Sequence, residues 1–293
     1  MRKIYFALAA MLALAVGCQE EMSFNEVQDT AIETFYATFD ECKGAETRTA
    51  LDENNDVLWS KGDQISVFAG STANNSFILS KGENTTYGQF RAYSFSAGTE
   101  SDGSIGLLDA NVAYYPYTES VTVSQIDEDT YTFDAIFPAT QTYSASGTFG
   151  NGASPMVAVT SNTMDANLKF KNVGGIFRLV LKGEATIARI EFSANEYLAG
   201  KCSITSSYGE VPSVIVTEGS KTIAVDCGDG VKLDPEKATN FIIAVLPVKI
   251  EGGMTISIYD NEGKVMVHTH KAGETFEIKR SKAVTTGAIT YVG

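Results

Sequence analysis

From Phe35 onward the chain is written in short runs whose apolar and polar residues alternate with a period of two. Phe35, Ala37 and Phe39 alternate with Tyr36 and Thr38. Ile65, Val67 and Ala69 do the same, then Phe77 and Leu79, then Phe90, Ala92 and Ser94. That period puts one face of a strand toward a core and the other toward water. Turn signals separate the runs: Lys61-Gly62-Asp63, Ser101-Asp102-Gly103 and Phe149-Gly150-Asn151-Gly152. Val112 to Tyr115 reads as a strand stopped by Pro116, which has no N–H to give a ladder. Patterning resumes at Met156–Val159 and Leu168, and continues from Gly175 through Phe276–Ile278. No long helical period occurs; Pro235-Glu236-Lys237-Ala238 reads as one helical turn. Many short, evenly spaced strands predict an all-β chain of β-sandwiches, and two in tandem fit 293 residues. The Ser-, Gly-, Thr- and Ala-rich stretch from Thr142 to Pro155 interrupts the rhythm and marks a domain boundary nearby.

The start of the chain is of another kind. Arg2 and Lys3 precede an apolar run, Ile4 to Val16, that is too short to span a bilayer, which takes about 20 residues. Such a segment is a secretory signal. Its ending, Ala15-Val16-Gly17-Cys18, resembles a lipobox, which implies cleavage before Cys18 and lipid on that cysteine. The organisation read from the chain is a signal peptide over 1–17, a lipidated acidic tether over 18–30, an N-terminal β-sandwich over 31–162 and a C-terminal one over 163–293. Gln19-Glu20-Glu21 resembles a surface-export signal of some Gram-negative lineages; a merely solvated tether is the open alternative.

Composition narrows the function. The net charge is −14, and loss of Arg2 and Lys3 with the signal makes it more negative. Nucleic acid and anionic membrane surfaces are therefore poor partners. Of the four cysteines, Cys18 is taken by lipid, and Cys42, Cys202 and Cys227 cannot all pair within one chain. No CxxC or Cys/His cluster suggests zinc. His268 and His270 share a strand face, with no third ligand in sight. Asp52, Asn54 and Asp56 have a calcium-like spacing but lack the glycine and glutamate of a full loop, so a polar turn explains them better. No nucleophile elbow and no carboxylate pair can be named. The expectation is a protein with no catalytic residue, no metal and no cofactor. Trp59, the single tryptophan, reads as a core anchor in an alternating strand.

Five motifs in order carry a family resemblance: Thr47-Arg48-Thr49; Val57-Leu58-Trp59 with Lys61-Gly62-Asp63-Gln64-Ile65-Ser66-Val67-Phe68; Ala113-Tyr114-Tyr115-Pro116; Ser154-Pro155-Met156-Val157-Ala158; and Leu168-Lys169-Phe170-Lys171-Asn172-Val173-Gly174-Gly175. Together they resemble the fimbrillin-like proteins over most of the mature chain. The resemblance implies two transthyretin-like β-sandwich domains and a structural or adhesive role in type V fimbriae. It also implies maturation by an Arg-specific protease, which here would cut between Arg48 and Thr49 and release the strand holding Phe35, Ala37 and Phe39. A strand from another subunit would then fill the groove. The C-terminal stretch from Thr275 to Val292, with Phe276, Ile278, Ala288 and Tyr291, is the candidate donor. The implied partners are other fimbrial subunits, the outer membrane through lipid, and a host or bacterial surface receptor. The implied location is the outer membrane surface, and the fimbrium after processing. An uncut lipid-anchored module that binds a glycan or host protein is the alternative, and the residues leave the two open.

Cys18→Ser is expected to abolish labelling by palmitate and release the protein from the membrane fraction. Undiminished labelling of the variant would remove the lipobox reading.

Overall fold

The computed structural model describes residues 32–39, 58–94, 105–145, 149–150, 152–271, 273 and 275–293. Among them there is no helix. In chain order the strands are β1 (Thr34–Phe39), β2 (Gln64–Ser71), β3 (Asn75–Lys81), β4 (Gly88–Ser94), β5 (Leu107–Tyr115), β6 (Thr122–Asp127), β7 (Thr130–Phe137) and β8 (Thr140–Thr142). Next come β9 (Met156–Val159), β10 (Asn167–Asn172), β11 (Gly175–Lys182), β12 (Thr186–Ala194), β13 (Ala199–Ser207), β14 (Ser213–Ser220) and β15 (Thr222–Lys232). The last are β16 (Thr239–Val245), β17 (Val248–Ile250), β18 (Met254–Asp260), β19 (Val265–His270), β20 (Phe276–Ile278), β21 (Ala283–Thr285) and β22 (Ile289–Thr290). The all-β expectation holds. Pro235–Ala238, expected to be a helical turn, is a bend without helical bonds: the Asp234 carboxylate takes the N–H groups of Glu236 and Lys237, an Asx turn that competes with helix.

Seven strands close a barrel in the order β1-β10-β9-β5-β2-β3-β4, with β4 returning to β1. All its neighbours run antiparallel except β1 and β10. The remaining strands form the sheets β16-β11-β21, β19-β18-β12-β15-β8, β14-β13-β7-β6 and the pair β17-β20, with β22 also on β11. Sheet membership does not follow the 162/163 division. β10 lies beyond it and belongs to the barrel, whereas β7 and β8 lie before it and pair with β13 and β15. Alternation along a strand says which face is buried; it carries no information about which strand lies alongside.

Residues Ile32–Gly293 form one compact unit with two cores. One fills the barrel and includes Phe35, Trp59, Phe77, Phe90, Tyr115 and Phe170. The larger one gathers Phe133, Phe137, Phe177, Phe192, Ile256 and their neighbours. β5 and β9 are the wall between them. Ala113, Tyr115, Met156 and Ala158 face the barrel core, and Val112, Tyr114, Val157 and Val159 face the other. Both faces of this wall are buried, which is why β9 reads MVAV without a polar position.

Gly174 and Gly175 open β11 where backbone passes close. A Cβ on Gly174 would sit 2.7 Å from the Phe137 ring, and one on Gly175 would sit 2.2 Å from the Lys279 carbonyl oxygen. Cys202 and Cys227 are free, buried thiols on β13 and β15, which belong to different sheets. Burial pushes the first up to about 11 and the second up to about 12, so both are unreactive in the folded chain.

Gly175→Ala is expected to lower unfolding stability by about 1–3 kcal/mol through overpacking. Gly287→Ala, where a Cβ meets nothing, should stay within about 0.5 kcal/mol. Denaturant midpoints of the two variants check this.

Candidate assembly site at the first strand

β1 closes the barrel between two unlike neighbours. It runs antiparallel to β4, with Phe35 opposite Phe90 and Ala37 opposite Gly88. It runs parallel to β10, with Ala37 beside Leu168 and Phe39 beside Phe170. Phe35 and Ala37 have no solvent exposure at all. The Phe35 ring meets Phe77 edge-on at 5.2 Å. On the outer face the Tyr36 ring stacks on Tyr87 at 6.0 Å.

Trp59 lies at the centre of this site. It stands just before the Lys61-Gly62 turn, outside any strand rather than in one as expected, but it is the fully buried anchor that its sequence context suggests. Its indole N–H donates to the Ala37 carbonyl at 3.3 Å. The Phe39 ring stacks on it at 4.4 Å, and Phe90, Tyr115 and Phe170 meet it edge-on at 4.9, 5.7 and 5.7 Å. The turn that follows is held by Asp63, whose carboxylate accepts from the Ser60 N–H at 2.7 Å and from the Tyr115 hydroxyl at 3.1 Å. Gly62 takes φ +84° there, which a side chain would resist. Burial holds the Asp63 carboxyl above its ordinary 3.8, against the lowering effect of those two hydrogen bonds.

Phe39 and Leu58 flank residues 40–57 in sequence, and the Phe39 ring already rests on Trp59. One cut within 40–57 would therefore sever β1 from the barrel covalently while leaving its ladders and ring contacts intact. Arg48 and Thr49, the candidate cleavage pair, lie outside the described residues. So do Cys18 and the Asp52, Asn54, Asp56 run.

The candidate donor residues are engaged elsewhere. β20 pairs with β17, which places Phe276 opposite Ile250 and Ile278 opposite Val248. Ile278 is buried, and Phe276 meets Phe177 edge-on at 5.7 Å. Tyr291 is buried and its hydroxyl donates to the Lys264 carbonyl at 3.3 Å, while Ala288 is exposed. β21 and β22 lie along β11 in parallel. None of the four sits in the barrel core. His268 and His270 lie on β19, opposite Ile256 and Met254. Among the described residues, no group of three or more His, Cys, Asp or Glu is placed to hold a metal.

Two features of the site escaped the sequence reading. One is the buried Asp63–Tyr115 bond, which joins residues 52 positions apart. The other was visible: β1 reads TFYATF and β7 contains TFDAIF, the same aromatic, alanine, aromatic face in each core.

No protein-family model matches the chain, and no curated protein does. Among solved structures the chain is similar to a candidate cell adhesion protein from Bacteroides ovatus, with 13% identity and a TM-score of 0.47 over 84% of this chain and 90% of that one. It is similar to another from Bacteroides uniformis, with 17% identity and a TM-score of 0.45 over 88% and 93%. A fimbrial protein from Bacteroides ovatus follows with 15% identity and a TM-score of 0.33, over 88% of this chain and 50% of that one. The likenesses are loose, and the geometry of β1 bears on function independently of them.

A carboxyl raised on folding binds its proton more tightly in the folded chain. The stability this contributes is full below about 3.8 and is lost as pH rises through the folded value. Asp63→Asn removes that dependence. Thermal midpoints should show the wild type losing ground against Asp63→Asn as pH rises from about 3.5 to about 6.5; a constant difference would contradict it.

Proposed function

We propose that this chain is a structural or adhesive subunit of a cell-surface fimbria. In this reading it is exported as a lipoprotein on Cys18, held at the outer membrane, and matured by a cut between Arg48 and Thr49. The observation that carries the reading is β1 itself. It is a six-residue strand bonded on both edges and packed by aromatic rings, and it is joined onward only through residues 40–57. Its departure would leave β4 and β10 as open edges beside an apolar slot. An extended strand of another subunit satisfies both at once: its backbone completes the ladders and its alternate side chains fill the slot. Each Phe buried by β1 contributes about 1.5–3 kcal/mol, enough to keep the uncut chain closed.

The donor to a neighbouring subunit, on this proposal, is the C-terminal stretch from Thr275. β21 and β22 are short and lie at the edge of their sheet, so they leave more readily than a central strand. We read the two cores as two transthyretin-like sandwich domains dividing near residue 162, with β6, β7, β8 and β10 lent across. The partners are other fimbrial subunits and a surface receptor.

One observation favours the second reading, an uncut binding module. A cleft of about 660 Å³ is lined by Asp109, Glu128, Asp129, Tyr131 and Tyr208, and Tyr208 is 59% exposed beside those acids. Carboxylates beside an aromatic face suit a sugar's hydroxyls and ring.

The test uses the Cys18→Ser chain cut by an Arg-specific protease and then mixed with a labelled peptide of residues 32–43. Such a protease spares Lys43, and Arg48 is its one target within residues 40–57. The cut chain is expected to take up the peptide and release its own β1 fragment, and Arg48→Ala to do neither. Full cleavage without uptake would overturn strand exchange, and surface protein that begins only at Cys18 would favour the uncut module.

A further inference from the structure

We propose that Trp59 sets the specificity of the β1 slot. It admits only strands with a glycine-, alanine- or serine-sized residue at the place of Ala37, flanked two positions away on each side by aromatic side chains. This rests on the reading of β1 as an exchangeable strand and names the chemistry of what replaces it.

The size limit comes from one rung of the ladder. Ala37 and Gly88 are directly opposite in an antiparallel pair, so their side-chain positions lie next to each other on the same face. That face is the barrel interior, where Ala37 is wholly buried. The indole covers the rung. A Cβ built on Gly88 would stand 2.8 Å from Trp59 Cδ1 and 2.9 Å from Nε1. The same Nε1 donates to the Ala37 carbonyl. With the indole tied to the strand at that residue, a longer side chain at 37 has nowhere to go but into the ring. Close-packed interiors do not give way to such additions without cost.

The flanking preference comes from the rings on either side. The Phe35 ring is received edge-on by Phe77, and the Phe39 ring lies flat on the indole. Smaller residues at either place would leave a void against an aromatic wall. The slot therefore reads aromatic, small, aromatic on alternate residues, and it reads the backbone through both edges.

This rule bears on what can fill it. The C-terminal stretch does not spell it in any register. With Ile278 or Ile289 at the central place, a branched chain meets the indole. With Ala288 there, Thr286 and Thr290 fall where the two phenylalanines sat. Phe133-x-Ala135-x-Phe137 spells it but is held on both sides by β6 and β13. The slot of this chain accordingly takes its strand from a different kind of subunit, one that carries the aromatic, small, aromatic face, and this chain's C-terminus serves another acceptor.

Two arms test the proposal. In the uncut chain, Ala37→Ser should leave the thermal midpoint nearly unchanged and Ala37→Leu should lower it. Adding Trp59→Phe to Ala37→Leu should recover part of the loss, beyond what the two single variants sum to. In the cut chain, peptides of residues 32–43 should compete for the slot, read by the emission of the single tryptophan, which lies in it. A peptide carrying Ala37→Leu should bind about ten- to a hundredfold more weakly, one carrying Leu in place of the outward Tyr36 about equally, and a peptide of residues 283–293 should not compete. An Ala37→Leu chain as stable as wild type, a double variant without recovery, or equal binding of the Ala37→Leu peptide or of the C-terminal peptide would each overturn it. If no peptide is taken up while the substitution pattern holds, strand exchange falls and the size limit imposed by Trp59 stands.

Discussion

β9, and β5 from Ala110 onward, are buried on both faces, and the rest of the molecule hangs on that wall. Val112 and Tyr114 point into one core while Ala113 and Tyr115 point into the other. A strand pair with water on neither side must have all its backbone groups in ladders, because an unpaired N–H or C=O there has nothing else to bond. β5 meets this with β2 and β9, and β9 with β5 and β10. Where β5 runs out of ladder partners, side chains take over. The Thr160 hydroxyl accepts from the Asn111 N–H at 2.9 Å, and the Asn111 amide donates to the carbonyls of Thr163 and Asp165, both at 2.9 Å. The two cores are thus locked in register with each other, and a change in either is felt at the wall.

Against that rigid part, β1 is placed differently. It contributes to one core only, and its outer face carries Tyr36 against Tyr87 rather than a second buried layer. Its parallel ladder to β10 joins strands far apart in sequence, and β1 reaches the next described residue, Leu58, only through residues 40–57. β1 completes the barrel and, like β3 and β4, supports the barrel core alone. The same six residues both seal the aromatic centre around Trp59 and hold the barrel's last two edges.

Much of this was legible in the residues. The burial of Phe35 and Ala37, of Ile65 and Val67, and of Phe77 and Phe90 follows from alternation. Pro116 marks the end of β5, and Gly174-Gly175 the entry to β11. Trp59 could be read as an anchor because a lone tryptophan beside a Gly-Asp turn and an apolar run has few other uses. Its lack of strand geometry could not, since that depends on Asp63 capping the turn from within. The candidate lipid and cleavage residues were read from motifs alone, and the fold bears on them only through the strand that lies between them.

The sequence by itself determined the class of structure and the inner face of the strands that alternate cleanly, such as β1 to β4, while β6, β7, β8 and β13 went unread. Period-two burial is a local property, set by backbone geometry that turns successive side chains to opposite sides. It also supplied a short list of residues with special duties: Trp59, Gly62, Tyr115, Gly174. Only the tertiary structure decided which strand lies beside which. It put β10 with β1, and β7 with β13. It brought Asp63 to Tyr115, and it laid the indole of Trp59 over the rung of Ala37 and Gly88. Those outcomes come from long-range pairing, where ladders are chosen by how two sheets pack in space, and no local pattern encodes the partner.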